Sequence, residues 1–264
     1  MAEDRQDRTR RFFGSRALAR LARSHVLVIG AGAIGNEVAK NLALVGVGRL
    51  TLVDPDTVEA SNLNRCIFFR ESDIGRKKVR VARRALKAAA PGMELAVHAR
   101  PIQEAPDAAW DADVVALCVD NEFARYYVNA RLLGERRRVP VVNGAMGRTW
   151  AEASVLVPGQ TACLVCLWSE DYHRSILGEE VRRKCDEFFQ ETRVRFPAIS
   201  VLTSVAGALA STEVVKLLAH LPDELPPALG KRIRYDVRRH DCLVHDILPN
   251  PQCVDAMCRK RRSP

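Results

Sequence analysis

No apolar run of about 18 residues or more occurs in the 264-residue chain, so no membrane-spanning helix is expected. The N-terminal stretch MAEDRQDRTRR has no apolar centre of the kind a secretory signal needs, which points to a cytosolic protein. Neither an internal repeat nor a clear linker interrupts the pattern. One domain over residues 26–264, preceded by a helical arm at 1–25, is therefore expected rather than two domains. What is present is ordinary for a globular chain: 47% apolar and 28% charged residues. The net charge of +9 fits a solvated basic surface, or a site for phosphates together with an acidic partner, and charge alone does not choose between them. Eight cysteines in a reducing compartment suggest metal binding or thiol chemistry more than disulfides.

Apolar periodicity alternates between strands and helices. An amphipathic helix at 15–24 leads into the strand HVLVIG, and a helix from Ile34 to Val45 closes at Gly46 and Gly48 before a strand at Leu50–Val53. Ser72 and Asp73 can cap a helix running from Gly75 to Ala90, which Pro91-Gly92 ends. Strand Leu95–His98, the fully apolar strand Val114–Cys118, a helix over Glu122–Arg137 and strand Val139–Asn143 complete a doubly wound, mainly parallel sheet. Beyond Gly147 come a strand at Ala151–Val157, a charged segment at 169–196 without a sheet role, and a long helix from Ala198 to Leu218. Two strands, Arg232–Val237 and Cys242–Leu248, form a C-terminal antiparallel extension. Cys118 and Cys242 read as packing residues in or beside strands.

The densest information lies between Val26 and Arg65. Gly30, Gly32 and Gly35 follow a strand and open a helix, a turn that lets backbone N–H groups and a helix N-terminus approach a phosphate. Asp54 ends the next strand, where it would serve the ribose of NAD as well as that of another nucleotide. The polar run Ser61-Asn62-Leu63-Asn64-Arg65 has no use in a nicotinamide enzyme. Taken singly, Arg65 and Lys78 are ordinary surface cations, and Asp120 is a possible cap for the helix that follows.

In combination these residues say more. Asp54-x-Asp56-x-Val58-x-x-Ser61-Asn62-Leu63-Asn64-Arg65, then Gly75-x-x-Lys78, then Val119-Asp120-Asn121, resembles the ThiF/MoeB/HesA family of adenylating enzymes related to ubiquitin-activating enzymes. The resemblance runs over about residues 10–258 and implies a Rossmann-like fold. It implies an enzyme that uses ATP and Mg²⁺ to adenylate the C-terminal glycine of a ubiquitin-like or sulfur-carrier β-grasp protein. By resemblance the three glycines face the nucleotide, Asp54 accepts the ribose hydroxyls, Asp56 lines the ATP site, and Asn62 and Arg65 hold the triphosphate. Lys78 reaches the α-phosphate, Asp120 holds Mg²⁺, and Arg8 or Arg11 is the candidate arginine finger supplied across a homodimer. Cys66 stands where members often carry glutamine.

Cys163-x-x-Cys166 suits two thiolates on one Zn²⁺. Cys253 matches the family's second knuckle, but its partner is Cys258, five positions on, with Ala256 between. Cys185, beside Arg182, Arg183 and Lys184, is the candidate nucleophile for a thioester that would follow adenylation. A downstream conjugating or sulfurtransferase protein would then be a partner, whereas a nucleic acid is not expected. Two alternatives keep part of the pattern. The branch of the family that cyclises threonylcarbamoyladenosine in tRNA suits a basic surface but, as the resemblance implies, generally lacks the cysteine knuckles. An NAD-dependent oxidoreductase fits the glycine turn and Asp54, yet no hydride-transfer histidine is evident.

Overall fold

The computed structural model describes residues 4–135, 137–168, 198–221, 225–253, 255 and 257–258. Its centre is an eight-stranded sheet in the order β3-β2-β1-β4-β5-β6-β7-β8. Strands β1 (His25–Ile29), β2 (Arg49–Val53), β3 (Glu94–His98), β4 (Val114–Leu117) and β5 (Val141–Met146) are parallel; β6 (Trp150–Leu156), β7 (Lys231–Asp236) and β8 (Asp241–Asp246) continue it antiparallel. The expected architecture, a doubly wound sheet with a C-terminal antiparallel extension, is the one found. The order reverses between β1 and β4, and such a switch point leaves a crevice beyond the carboxyl ends of the strands.

The central parallel strands are mostly apolar because helices cover both faces. β1 and β4 are buried along their whole length. One face packs on α3 (Ala33–Val45), α4 (Lys78–Ala89) and α7 (Ser200–Ala219); the other packs on α5 (Asp107–Trp110) and α6 (Glu122–Gly134). By length and composition α7 is apolar enough to cross a membrane, but it lies against β5, β6 and α3 with over half of its apolar window buried. Its run of Ala, Gly and Ser allows that close approach: Gly207 lies against Glu37 of α3, where any Cβ would come within 2.3 Å of the Glu37 Cβ.

Element boundaries correct several expectations. The N-terminal arm is two helices, α1 (Asp7–Phe13) and α2 (Ser15–Leu21), separated by Gly14. α4 begins at Lys78, not Gly75: residues Glu71–Asp73 form a separate 3₁₀ turn, and Gly75 sits at φ +83° between the two. α6 stops at Gly134, three residues short of the expected end, with its last turn tied to Glu135 through the Arg131 carbonyl. Cys242 is exposed on the outermost strand rather than packed, because nothing covers β8 among the described residues. The charged segment at 169–196, with Cys185, lies outside the described residues.

Candidate nucleotide cleft and cysteine centre

The carboxyl ends of β1, β2, β4 and β5 open into a cleft of about 1340 Å³. Its floor is the glycine turn, whose three glycines differ in purpose. At Gly30 (φ +93°) a Cβ would lie 2.5 Å from the Cys118 carbonyl oxygen, and at Gly35 one would lie 1.9 Å from the Gly30 carbonyl oxygen. These two let strand, turn and helix close on one another. Gly32 has nothing within 4 Å of where its Cβ would stand, so it keeps the rim open at the N-terminus of α3.

Asp54 directly follows β2 and is buried. Its Oδ2 accepts the Ala31 N–H at 2.6 Å, and its Oδ1 accepts the Asp56 N–H at 2.8 Å, which locks the carboxylate to the glycine turn. Each oxygen keeps a lone pair for a hydroxyl donor. Burial pushes its pKa upward, against the opposing pull of Lys78 and the Ala31 N–H. Lys78, at the first position of α4, reaches back 2.8 Å to Asp56 Oδ2. Burial opposes the Lys78 charge, but the Asp54 and then the Asp56 carboxylate outweigh it, so its pKa ends above the ordinary lysine value. Arg65 is half-buried in the cleft wall and donates to the Ser61 carbonyl and, at 3.1 Å, to Asn64 Oδ1. That bonding within its own loop explains the polar run: the loop folds around the guanidinium and presents it.

Asn62 lines the cleft but is buried, with its Oδ1 accepting the Glu59 N–H at 3.0 Å. It shapes the loop that carries Arg65. Asp120 is exposed at the mouth. The helix cap that sequence reading allowed it belongs instead to Asn121, whose Oδ1 accepts the Ala124 N–H at 2.7 Å. The Asp120 carboxylate is thereby left to the cleft. Gly30, Gly32, Asp54, Asp56, Asn62, Arg65, Lys78 and Asp120 therefore all border one space. Arg8 and Arg11 do not: they lie exposed on α1, with Arg11 paired 2.9 Å from Asp7.

Sequence reading missed other parts of the wall. Arg125 of α6 donates to the Val119 carbonyl at 2.6 Å and to Asn143 Oδ1, and it lies 3.5 Å from Glu122. Across the cleft, buried Glu152 on β6 is flanked by Arg234 at 2.6 Å and Arg232 at 3.7 Å, and Arg234 covers the Trp150 ring at 4.3 Å. The i,i+3 spacing of Glu122 and Arg125 was a visible signal. The Glu152–Arg232–Arg234 group was not, because only the β6–β7 register brings it together. Cys66 and Cys118 also border the cleft; burial pushes their thiols up to about 11 and about 12, so neither ionises near neutral pH.

Beside α6, against Leu133, the two cysteine segments meet. Cys163 Sγ lies 3.6 Å from Cys166 Sγ and 3.7 Å from Cys253 Sγ, and Cys166 Sγ lies 3.9 Å from Cys258 Sγ. All four sulfurs fall within 4.8 Å of one another. Four sulfurs bound tetrahedrally at about 2.3 Å would stand about 3.8 Å apart, so the set fits Zn²⁺ despite the long second spacer. Hydrogen bonds from Cys163 and the other two thiols favour Cys166 as thiolate, while the same contact pushes Cys163 up. The Asn250 N–H also donates to Cys166 Sγ at 3.5 Å.

A Rossmann-like sheet, a glycine turn and a cation-lined cleft beside a four-cysteine centre define a doubly wound α/β protein of the dinucleotide-fold class. Residues 4–255 match the model of the ThiF family, and the chain belongs to that family. It is 34% identical over 203 residues to the sulfur carrier protein ThiS adenylyltransferase of Escherichia coli, covering 76% of this chain and 74% of the relative. It is 37% identical over 153 residues to the Nedd8-activating enzyme E1 catalytic subunit of Drosophila melanogaster, covering 53% of this chain but only 34% of that longer protein. Among solved structures, E. coli MccB with ATP superposes with a TM-score of 0.76 at 25% identity, covering 96% of this chain and 74% of that one.

Proposed function

We propose that the protein is an ATP-dependent adenylyltransferase that activates the C-terminal glycine of a ubiquitin-like or sulfur-carrier protein. The observation that carries this reading is the convergence of Asp54, Asp56, Arg65, Lys78 and Asp120 on one cleft around the glycine turn. A dinucleotide oxidoreductase needs the turn and Asp54 alone. The further cations and the exposed carboxylate are what a triphosphate and its divalent ion require.

Asp54, fixed by two backbone N–H groups, accepts the ribose hydroxyls. Arg65 and Lys78 hold the phosphates: Arg65 through the fork of a guanidinium, Lys78 as a point charge on the α-phosphate. Asp120 supplies an oxygen ligand suited to Mg²⁺, which when bound neutralises charge on the phosphate oxygens. A carboxylate oxygen of the carrier's last glycine attacks the α-phosphorus, and the bond from that phosphorus to the bridging oxygen of the β-phosphate breaks. Pyrophosphate leaves with the electron pair and an acyl-adenylate remains. No proton needs to move, so the residues act by position and charge. Lys78 turns from Asp56 to the α-phosphate as that charge develops.

Homodimer formation with Arg8 or Arg11 crossing to the partner's cleft, Zn²⁺ in the cysteine centre, a cytoplasmic setting and a role for Cys185 in a later thioester are parts of the same proposal, carried by the family resemblance. The test is ATP–pyrophosphate exchange with a panel of β-grasp proteins ending in glycine. Exchange that depends on the terminal glycine supports the reading. Absence of exchange with every carrier, alongside activity on threonylcarbamoyladenosine in tRNA, overturns it.

A further inference from the structure

The Cys253–Cys258 spacer is longer than the first knuckle by two residues, yet its sulfurs stand as close as a tetrahedral site requires. Two buried polar side chains account for this. Asn129, on the inward face of α6, is fully buried, and Asp255 is 5% exposed. The Asn129 Oδ1 accepts the Leu164 N–H at 2.8 Å, next to Cys163. Its Nδ2 donates to Asp255 Oδ2 at 2.8 Å. The other Asp255 oxygen accepts the N–H groups of Met257 at 2.9 Å and Cys258 at 3.4 Å. The Leu164 N–H can meet only the amide oxygen of Asn129, so the amide orientation is fixed, and every polar contact of the pair has a matching partner.

We propose that Asn129 and Asp255 are the positioning pair of the cysteine centre: one α6 side chain orients both cysteine arms and makes Cys258 a ligand across a five-residue offset. The proposal rests on reading the four cysteines as a metal site. Asp255 curls the chain so that Cys258 turns inward, and Asn129 clamps that curl to the first knuckle. Residues that orient metal ligands typically carry about 10- to 100-fold in metal affinity.

The test is competition for Zn²⁺ against a chromophoric chelator, with Co²⁺–thiolate absorption as a report on ligand number, using the full chain. Asn129→Ala and Asp255→Ala are expected to weaken metal binding by about 10- to 100-fold and to diminish the thiolate band. The exchanged double variant, Asn129→Asp with Asp255→Asn, keeps an oxygen for Leu164, an oxygen for Met257 and Cys258, and one N–H between the two side chains. It is expected to fold and to bind metal within a few-fold of the parent. A folded Asn129→Ala with parental affinity overturns the proposal. So does an exchanged variant that fails to recover a folded, metal-loaded protein, and that comparison decides if Asn129→Ala does not fold. A parent protein that takes up no metal removes the centre itself, while leaving the adenylation reading to its own assay.

Discussion

The cleft and the cysteine centre, both built against α6, handle polar groups in different ways. At the N-terminal end of α6 the cleft keeps polar capacity in reserve: Asp54 has unused lone pairs, Asp120 is left to solvent by the Asn121 cap, and Lys78 rests on an exchangeable partner, Asp56. Around Asn129 the polar groups are committed to protein partners. Both ends of the amide are engaged, Asp255 accepts three N–H donors, and the four thiols crowd together. A site that exchanges ligands each turnover needs partners the ligand can displace, whereas a resident ion is best served by a closed shell of fixed donors. Trp168 joins the two: it lies two residues beyond Cys166, stacks on Tyr126, and donates to Glu122 Oε2 at 2.8 Å in the cleft wall.

The contrast can be broken from either side. Asp120→Ala should reduce pyrophosphate exchange by at least about a hundredfold, as loss of one transition-state electrostatic partner does. Its thermal midpoint should stay at the parental value, because the side chain is exposed and the cap belongs to Asn121. An active Asp120→Ala would remove the metal-ligand assignment. Cys163→Ala should do the reverse. An ion held at about 1,000 times its Kd stabilises by about 4 kcal/mol, so at roughly 2–4 °C per kcal/mol the loss of Zn²⁺ binding should lower the midpoint by about 8–16 °C. Exchange measured at low temperature should survive, and a parental midpoint by calorimetry would show that the centre does not support the fold.

Charge at Lys78 gives a smaller, pH-dependent effect. Its folded-state pKa is raised, so its contribution to stability is fully present below the ordinary lysine value of 10.5 and is lost only as pH rises through the higher folded value. Exchange should therefore show no alkaline midpoint from Lys78 below pH 10.5. An alkaline limb well below that point that disappears in Lys78→Arg would contradict the ion pair with Asp56. Smallest of all should be Trp168→Phe, which keeps the stack but deletes the hydrogen bond to Glu122, a loss of about 1 kcal/mol. A several-fold rise in the KM for ATP with little change in kcat would mark Trp168 as the joint between the two regions.

Much of the fold was legible because β1 and β4 at the sheet centre are apolar along nearly their whole length and the glycine turn is local. The residues proposed for the nucleotide were legible as a group because Asp54 to Arg65 is one continuous segment, and they border one cleft. What sequence hid depends on contacts between distant segments. Asn129 is one polar residue within a helix, and only the folded chain shows that it faces Asp255, 126 positions away. Gly75 was misplaced in α4 because its composition-neutral neighbours, Arg76 and Lys77, do not show that the chain must turn back to bring the Lys78 N–H to the Asp56 carbonyl.

The most direct test of the central claim is the intact mass of a glycine-terminated β-grasp carrier after incubation with the protein, ATP and Mg²⁺, with pyrophosphate removed as it forms. A gain of one adenylyl group on the carrier's C-terminal carboxylate, absent when that glycine is deleted or when Asp120→Ala is used, is the predicted result. Unmodified carriers throughout, with ATP bound in the cleft, would contradict it.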